Sequence, residues 1–229
     1  MATNQSVGYN PTPIASQPMP RAFTAADCAD GLPGEWLSSG GDPAVASHVT
    51  TDANGVTLYT SDASYQYVGA GKINAPNIYS SAEMERGDYT VHFDIFQHRA
   101  AANFSVLLCD GQANNDGSTC GVLGVGSLNS QDFRMVYKLP GASTDTNVAT
   151  TGATNIVAAT TLGVRVAWDG PNFWVWYILD GVSVAMNSGD PGPRGRGSTA
   201  SNTGSFGARK LVIAAGFEQW RIPSVVRNG

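Results

Sequence analysis

The run WDGPNFWVWYILDGVSVAM, residues 168–186, limits the fold more than any other part of this 229-residue chain. It reads as three strands joined by two tight turns, DGPN at 169–172 and Asp180-Gly181. An Asp-Gly pair suits a two-residue hairpin turn, because glycine takes a positive φ without a Cβ penalty. Residues 173–179 are apolar on both parities, which predicts a central strand covered on both faces. Trp174 and Trp176 share parity with Ile178, and that pattern assigns them to the core. Strands of similar length are expected at 55–61, 65–69, 77–81, 88–98, 103–109, 121–126, 133–139 and 209–217, with turn residues such as Asn54-Gly55 between them. Many short strands punctuated in this way predict an all-β antiparallel sandwich or barrel. No internal repeat is visible.

Residues 1–22 hold Pro11, Pro13, Pro18 and Pro20 and show no periodicity. They predict an extended arm, followed by one sandwich domain over 23–229. Thr24 is placed to cap a short helix in AADCADG, ended by Gly31 and Pro33. The N-terminus lacks the basic and apolar regions of a signal peptide, so folding in the cytoplasm where the chain is made is expected. No run is long enough for a transmembrane helix. Net charge is −5 with 3 lysines, which argues against a nucleic-acid groove. The one dense basic stretch is GPRGRG, 192–197.

The meander VRVAWDG…WYILDGVSVA resembles the late strands of concanavalin A-like lectin/glucanase and laminin-G-like jelly rolls, over about residues 55–217. That resemblance implies two curved antiparallel sheets, with glycan binding on the concave face or at edge loops. Some glucanases of this group carry two catalytic glutamates in E-x-D-x-x-E on a strand. HFDIFQ, 92–97, resembles that pattern at Asp94 but has His92 and Gln97 at the glutamate positions. Glutamine cannot supply an acidic proton, and the sparse glutamates Glu35, Glu83, Glu85 and Glu218 show no pairing, so the expectation is that the chain is not an enzyme.

In DYTVHFDIFQH, 88–98, Tyr89, Val91, Phe93 and Ile95 alternate with Thr90, His92, Asp94, Phe96 and His98. The second set is expected to be one face of a sheet. His92 and His98 stand roughly 20 Å apart along a strand, too far for one metal ion. The loop CDGQANNDGSTC gathers Asp110, Asn114 and Asp116, oxygen ligands for a candidate Ca2+ site and equally the residues of a polar hairpin. No other cofactor is implied. Cys109 and Cys120 flank that loop, so a disulfide is geometrically allowed, while an odd cysteine count without a signal peptide favours thiols. Arg86, Gly87 and Asp88 spell RGD, which reads first as a turn entering a strand.

Trp36 and Trp220 lie near expected loops and are the exposed stacking candidates. Arg194 and Arg196 lie in the Gly/Pro/Ser-rich stretch 187–207, read as a long loop that either contacts an acidic partner or faces solvent. The Pro-rich arm, the few lysines and the Ser/Thr/Asn/Ala/Gly-rich sandwich resemble phage virion proteins. That resemblance implies a capsid decoration or tail component, assembled in the host cytoplasm as a homo-oligomer such as a trimer on virion proteins. Membrane and nucleic-acid partners are not expected. The alternative is a carbohydrate-binding lectin module for cell-surface glycan, and a third reading is a glycan hydrolase or lyase.

Overall fold

The computed structural model describes residues 22–39, 47–61, 75–81, 87–95, 103–109, 120–127, 132–137, 146–151, 159–168, 172–184, 194–198, 210–216 and 218–228. Among them the strands form two antiparallel sheets. The seven-stranded sheet runs β1 (Trp36–Ser39), β4 (Asn77–Ser80), β14 (Lys210–Gly216), β6 (Asn103–Cys109), β7 (Cys120–Ser127), β8 (Asp132–Tyr137) and β9 (Thr146–Thr150). The eight-stranded sheet runs β12 (Val182–Val184), β11 (Asn172–Leu179), β10 (Thr161–Trp168), β5 (Gly87–Asp94), β15 (Glu218–Arg227), β3 (Gly55–Thr60) and β2 (Ser47–Asp52). β13 (Arg194–Ser198) also pairs with β11. The late strands β14 and β15 insert between early ones, so each sheet is closed only when the chain returns. This is the jelly-roll sandwich the meander implied.

Strand parity builds the core. Tyr89, Val91 and Phe93 of β5, Leu162, Val164 and Val166 of β10, and Phe173, Val175 and Tyr177 of β11 all point inward. Phe104 of β6 meets them from the other sheet, with ring centroids 5.4 Å from Phe93, 5.5 Å from Trp220 and 5.6 Å from Phe133. Tyr177 stacks on Phe133 at 4.8 Å and donates its hydroxyl to the Arg134 carbonyl across the sandwich. Phe23 is tied to the last strand, exchanging two 2.9 Å backbone hydrogen bonds with Val225, and its ring meets Trp36 edge-on.

The β11–β12 turn is the one expected. Asp180 has φ 45° and Gly181 φ 80°. Asp180 also accepts hydrogen bonds from the backbone and hydroxyls of Thr160 and Thr161, which hold its carboxyl below the usual range.

Several expectations need correction. The helix after Thr24 is a single 3-10 turn, Ala25–Cys28, whose Asp27 carboxylate accepts from the Thr24 amide and hydroxyl. The stretch 187–207 is not all loop, because Arg194–Ser198 is a strand. β1, β2, β9 and β15 were not expected; β15 contains Pro223, which cannot donate to a ladder, and the β15–β5 register shifts between Arg221 and Ser224 to accommodate it. The expected strand at 65–69, the arm at 1–21, Phe96 and His98 lie outside the described residues.

Candidate functional site

Because Tyr89, Val91 and Phe93 fill the core, Asp88, Thr90, His92 and Asp94 point away from it. Their face is the outward side of the eight-stranded sheet. The two sheets differ here. On the outward side of the seven-stranded sheet, Asn77, Ser105, Leu107, Val212 and Ala214 are all fully buried, so that side is covered. On the eight-stranded sheet's outward side Asp88, Thr90, Ala167 and Trp174 are buried too, but His48, Thr50 and Gln219 are exposed.

Its most open corner lies on β2, β3, β15 and β5. Register places Tyr59 opposite both His48 and Gln219, and Arg221 opposite both Thr57 and Asp94. His48, Thr50 and Gln219 are exposed, while Tyr59, Thr57, Arg221 and Asp94 are half-buried. The His48 and Tyr59 rings lie 4.8 Å apart at 31°. Beside them Arg221 Nε donates to Asp94 Oδ2 at 2.9 Å. A tilted aromatic pair, exposed at His48 and half-buried at Tyr59, next to an amide, a guanidinium and a carboxylate suits a ligand with an apolar face and a rim of hydroxyls. None of His48, Tyr59, Gln219 and Arg221 stands out in the sequence. What joins them is cross-strand register, which no local pattern carries.

A second corner lies on β5, β10 and β11. Asp88, with its side chain fully buried, accepts from Arg165 Nε at 2.9 Å and Nη2 at 2.6 Å and from Asn228 Nδ2 at 3.0 Å. Arg165 in turn lies over the Trp176 ring, 4.6 Å from its centroid. The Asp88 cluster pins the chain's end to β5. Removing a buried carboxylate strands its donors, but Arg165 is 35% exposed and water recovers part of the loss. Asp88→Ala is therefore expected to cost about 2 kcal/mol and lower Tm by about 4–8 °C, measured by thermal unfolding. A melt within a degree of wild type would mean the cluster is not structural.

Among the described residues, no three His, Cys, Asp or Glu side chains could hold a metal ion. His92 is half-buried, and burial pushes its imidazole below the ordinary value, toward the neutral form. Asp110, Asn114 and Asp116 of the expected Ca2+ loop lie outside the described residues. The backbone sets Cys109 opposite Cys120 on β6 and β7.

Trp36 is 3% and Trp220 2% exposed, so both are core residues and neither offers a ring to a ligand. Trp220 shares parity with the buried Ile222, a signal the bulge at Pro223 obscures. Trp174 and Trp176 were assigned to the core by parity with Ile178. They lie instead on the opposite side from the core-facing Phe173, Val175 and Tyr177. Trp174 is nevertheless 3% exposed, and Trp176 is half-buried. Arg194 and Arg196 occupy β13 positions opposite Trp176 and Trp174.

No family model matches the sequence, and no curated protein does. Solved structures do match. A non-specific endo-β-1,3(4)-glucanase from family GH16 is 9% identical, covers 90% of this chain and 88% of its own, and superposes with a TM-score of 0.57. The carbohydrate binding module CBM66 from Bacillus subtilis is 12% identical, with coverage of 85% and 96% and a TM-score of 0.50. The legume lectin-like domain from Entamoeba histolytica is 8% identical, with coverage of 93% and 99% and a TM-score of 0.50. The chain thus has the concanavalin A-like jelly-roll fold, as the sequence resemblance implied.

These likenesses also correct the expectation that the chain is not an enzyme. Glucanases and a transglycosylase are among the matching structures, so the fold is one that hosts glycan chemistry in other proteins. The exclusion rested on residues 92–97 and on the spacing of four glutamates along the sequence, and neither shows which carboxylates the fold brings together. Catalytic carboxylates can come from several elements of a sandwich, and a motif missing from one strand says nothing about the others.

Proposed function

We propose that this chain is a carbohydrate-binding β-sandwich, with a glycan seated on the outward face of the eight-stranded sheet at His48, Tyr59, Gln219, Arg221 and Asp94. The observation that carries this is the open His48–Tyr59 ring pair flanked by the Arg221–Asp94 ion pair. Support comes from the shared fold of a carbohydrate binding module, a legume lectin-like domain and a carbohydrate recognition domain. The virion reading, with its oligomer and capsid partners, receives no support from those likenesses, and glycan binding takes its place as the primary reading.

A glycan array followed by calorimetry on the best neutral oligosaccharide tests the proposal. Tyr59→Ala is expected to weaken binding about ten-fold, the loss of one aromatic contact worth roughly 1.4 kcal/mol, with the melt as a folding control. A wild-type protein that binds no glycan, or a Tyr59→Ala protein that binds as tightly as wild type, sinks it. Assaying released reducing ends and transfer products in the same samples separates binding from hydrolysis or transfer.

A further inference from the structure

We infer that the free edge of β2 is a self-pairing seam, where a second copy of this chain adds its own β2 antiparallel and joins two eight-stranded sheets into one. β2 is the last strand of its sheet, and among the described residues it pairs with β3 alone. An unpaired strand edge is a template for another strand, and folded proteins blunt such edges with proline, lysine, a bulge or short length. Ser47–Asp52, SHVTTD, has none of these: it holds no proline and no lysine, and its register with β3 is unbroken over all 6 residues. β12, at the other end of the same sheet, is only 3 residues long.

The sequence of the edge is complementary to itself. The Ala53-Asn54 turn closes on the pair Asp52–Gly55, and pairs along an antiparallel ladder alternate between bonded and non-bonded. Asp52, Thr50 and His48 therefore turn their backbone groups to β3, while Val49 and Thr51 turn theirs outward. Setting Val49 of one copy against Thr51 of the other makes two bonded pairs across the seam, related by a two-fold axis. That register puts Thr50 opposite Thr50 at the axis and His48 opposite Asp52 on either side of it. All three of these side chains are exposed and share one face. Thr–Thr and opposite-charge pairs are favourable directly across strands. Asp52 Oδ1 accepts from the Asn54 amide at 2.6 Å, and Oδ2 faces no donor of its own hairpin, so an imidazole N–H can donate to it. Sliding the seam by two residues either way breaks both His48–Asp52 pairs, which makes this register the preferred one. One strand seam buries less than a stable complex needs, about 1,200 Å², so the dimer is a weak one. It sets two His48 positions roughly 13 Å apart along the strands and on one side of the joined sheet. Where the glycan reading above holds, the pair of sites would grip one long chain bivalently.

Sedimentation equilibrium of the full chain, from about 5 µM to about 500 µM and without glycan, tests the seam. Wild type is expected to pass from monomer to dimer mass across that range. Thr50→Lys sets two ammonium groups against each other at the axis, from an exposed position, and should weaken association at least ~10-fold. Thr51→Pro removes an outward amide that β3 does not use, and should weaken it as much. His48→Asp and Asp52→Lys each oppose like charges in their own homodimers, so each should stay monomeric alone. Their equimolar mixture restores opposite charges at both places and should dimerise, a rescue that only this register allows. Thermal melts check folding, and Thr50→Lys decides the matter if a member of the swap pair misfolds. Three results overturn the inference: wild type that stays monomeric to about 500 µM, a dimer that survives Thr50→Lys or Thr51→Pro, or folded swap variants whose mixture stays monomeric. No glycan enters the measurement, so its failure leaves the earlier reading standing. A chain that dimerises yet binds no glycan sinks only that earlier reading.

Discussion

Gly55→Ala is expected to destabilise the fold by about 3 kcal/mol or more and to lower Tm by about 6–12 °C. Two independent effects add at this position. Gly55 holds φ 117°, a conformation that L side chains rarely adopt. A Cβ there would also collide with the Ile222 carbonyl oxygen and lie 2.8 Å from Pro223 Cα. Both obstacles are backbone, and they belong to β15 just where its register shifts. Neither can swing aside as a flexible side chain would. Gly181→Ala is the control. It too has a positive φ, at 80°, but a Cβ there meets nothing within 4 Å. That change should cost about 1 kcal/mol, from backbone strain alone. Equal losses for the two variants would show that strain, not the β3–β15 approach, fixes Gly55. The same approach seats Tyr59 beside Gln219, so Gly55→Ala should also weaken glycan binding in whatever fraction remains folded.

That glycine shows where sequence reading reaches and where it stops. Asn54-Gly55 and Asp180-Gly181 announce turns, because positive φ is a local demand that a residue type reveals. The inward set Tyr89, Val91 and Phe93 is equally legible, since period-2 alternation needs only one strand. Close approach is different. Nothing near Gly55 in sequence predicts that Ile222 will pack on it. Likewise Asp88 finds Arg165 77 residues away, and Tyr59 meets its neighbours only through pairings with β2 and β15.

Mixed patterns failed for a related reason. On β11 both parities are apolar, so parity could not say which side meets the core. The answer came from the partners, with Tyr177 reaching Phe133 while Trp176 stacks under Arg165. In β13 the alternating glycines read as loop, yet the register pairs them with Val175 and Phe173 of β11. Position near a loop suggested exposure for Trp220, but two residues on, Ile222 shares its face, and that face is the core.

The other large effect lies where the two sheets meet. Phe104→Ala is expected to cost about 3–5 kcal/mol, the range for emptying a large buried aromatic site. Phe104 is fully buried, and its ring centroid lies within 6.3 Å of those of Phe93, Phe133, Tyr177 and Trp220. Those four rings come from β5, β8, β11 and β15, so the cavity would open between sheets, where neither can collapse without moving the other. Each edge-on ring contact adds roughly 0.5–1.5 kcal/mol beyond area burial, and the variant loses several together. Phe104→Leu keeps most of the volume and should lose far less, about 1–1.5 kcal/mol. Denaturant unfolding of both variants checks this, with a constant m-value required for the comparison. If Phe104→Ala cost no more than Phe104→Leu, the sheets would have closed over the gap, and the aromatic cluster would not be what fixes their spacing. Because β5 and β15 carry Asp94 and Arg221 on their outer side, a core that held its spacing is also what keeps those two groups in pairing distance. Glycan affinity in Phe104→Leu should therefore stay near that of wild type, even as its stability falls.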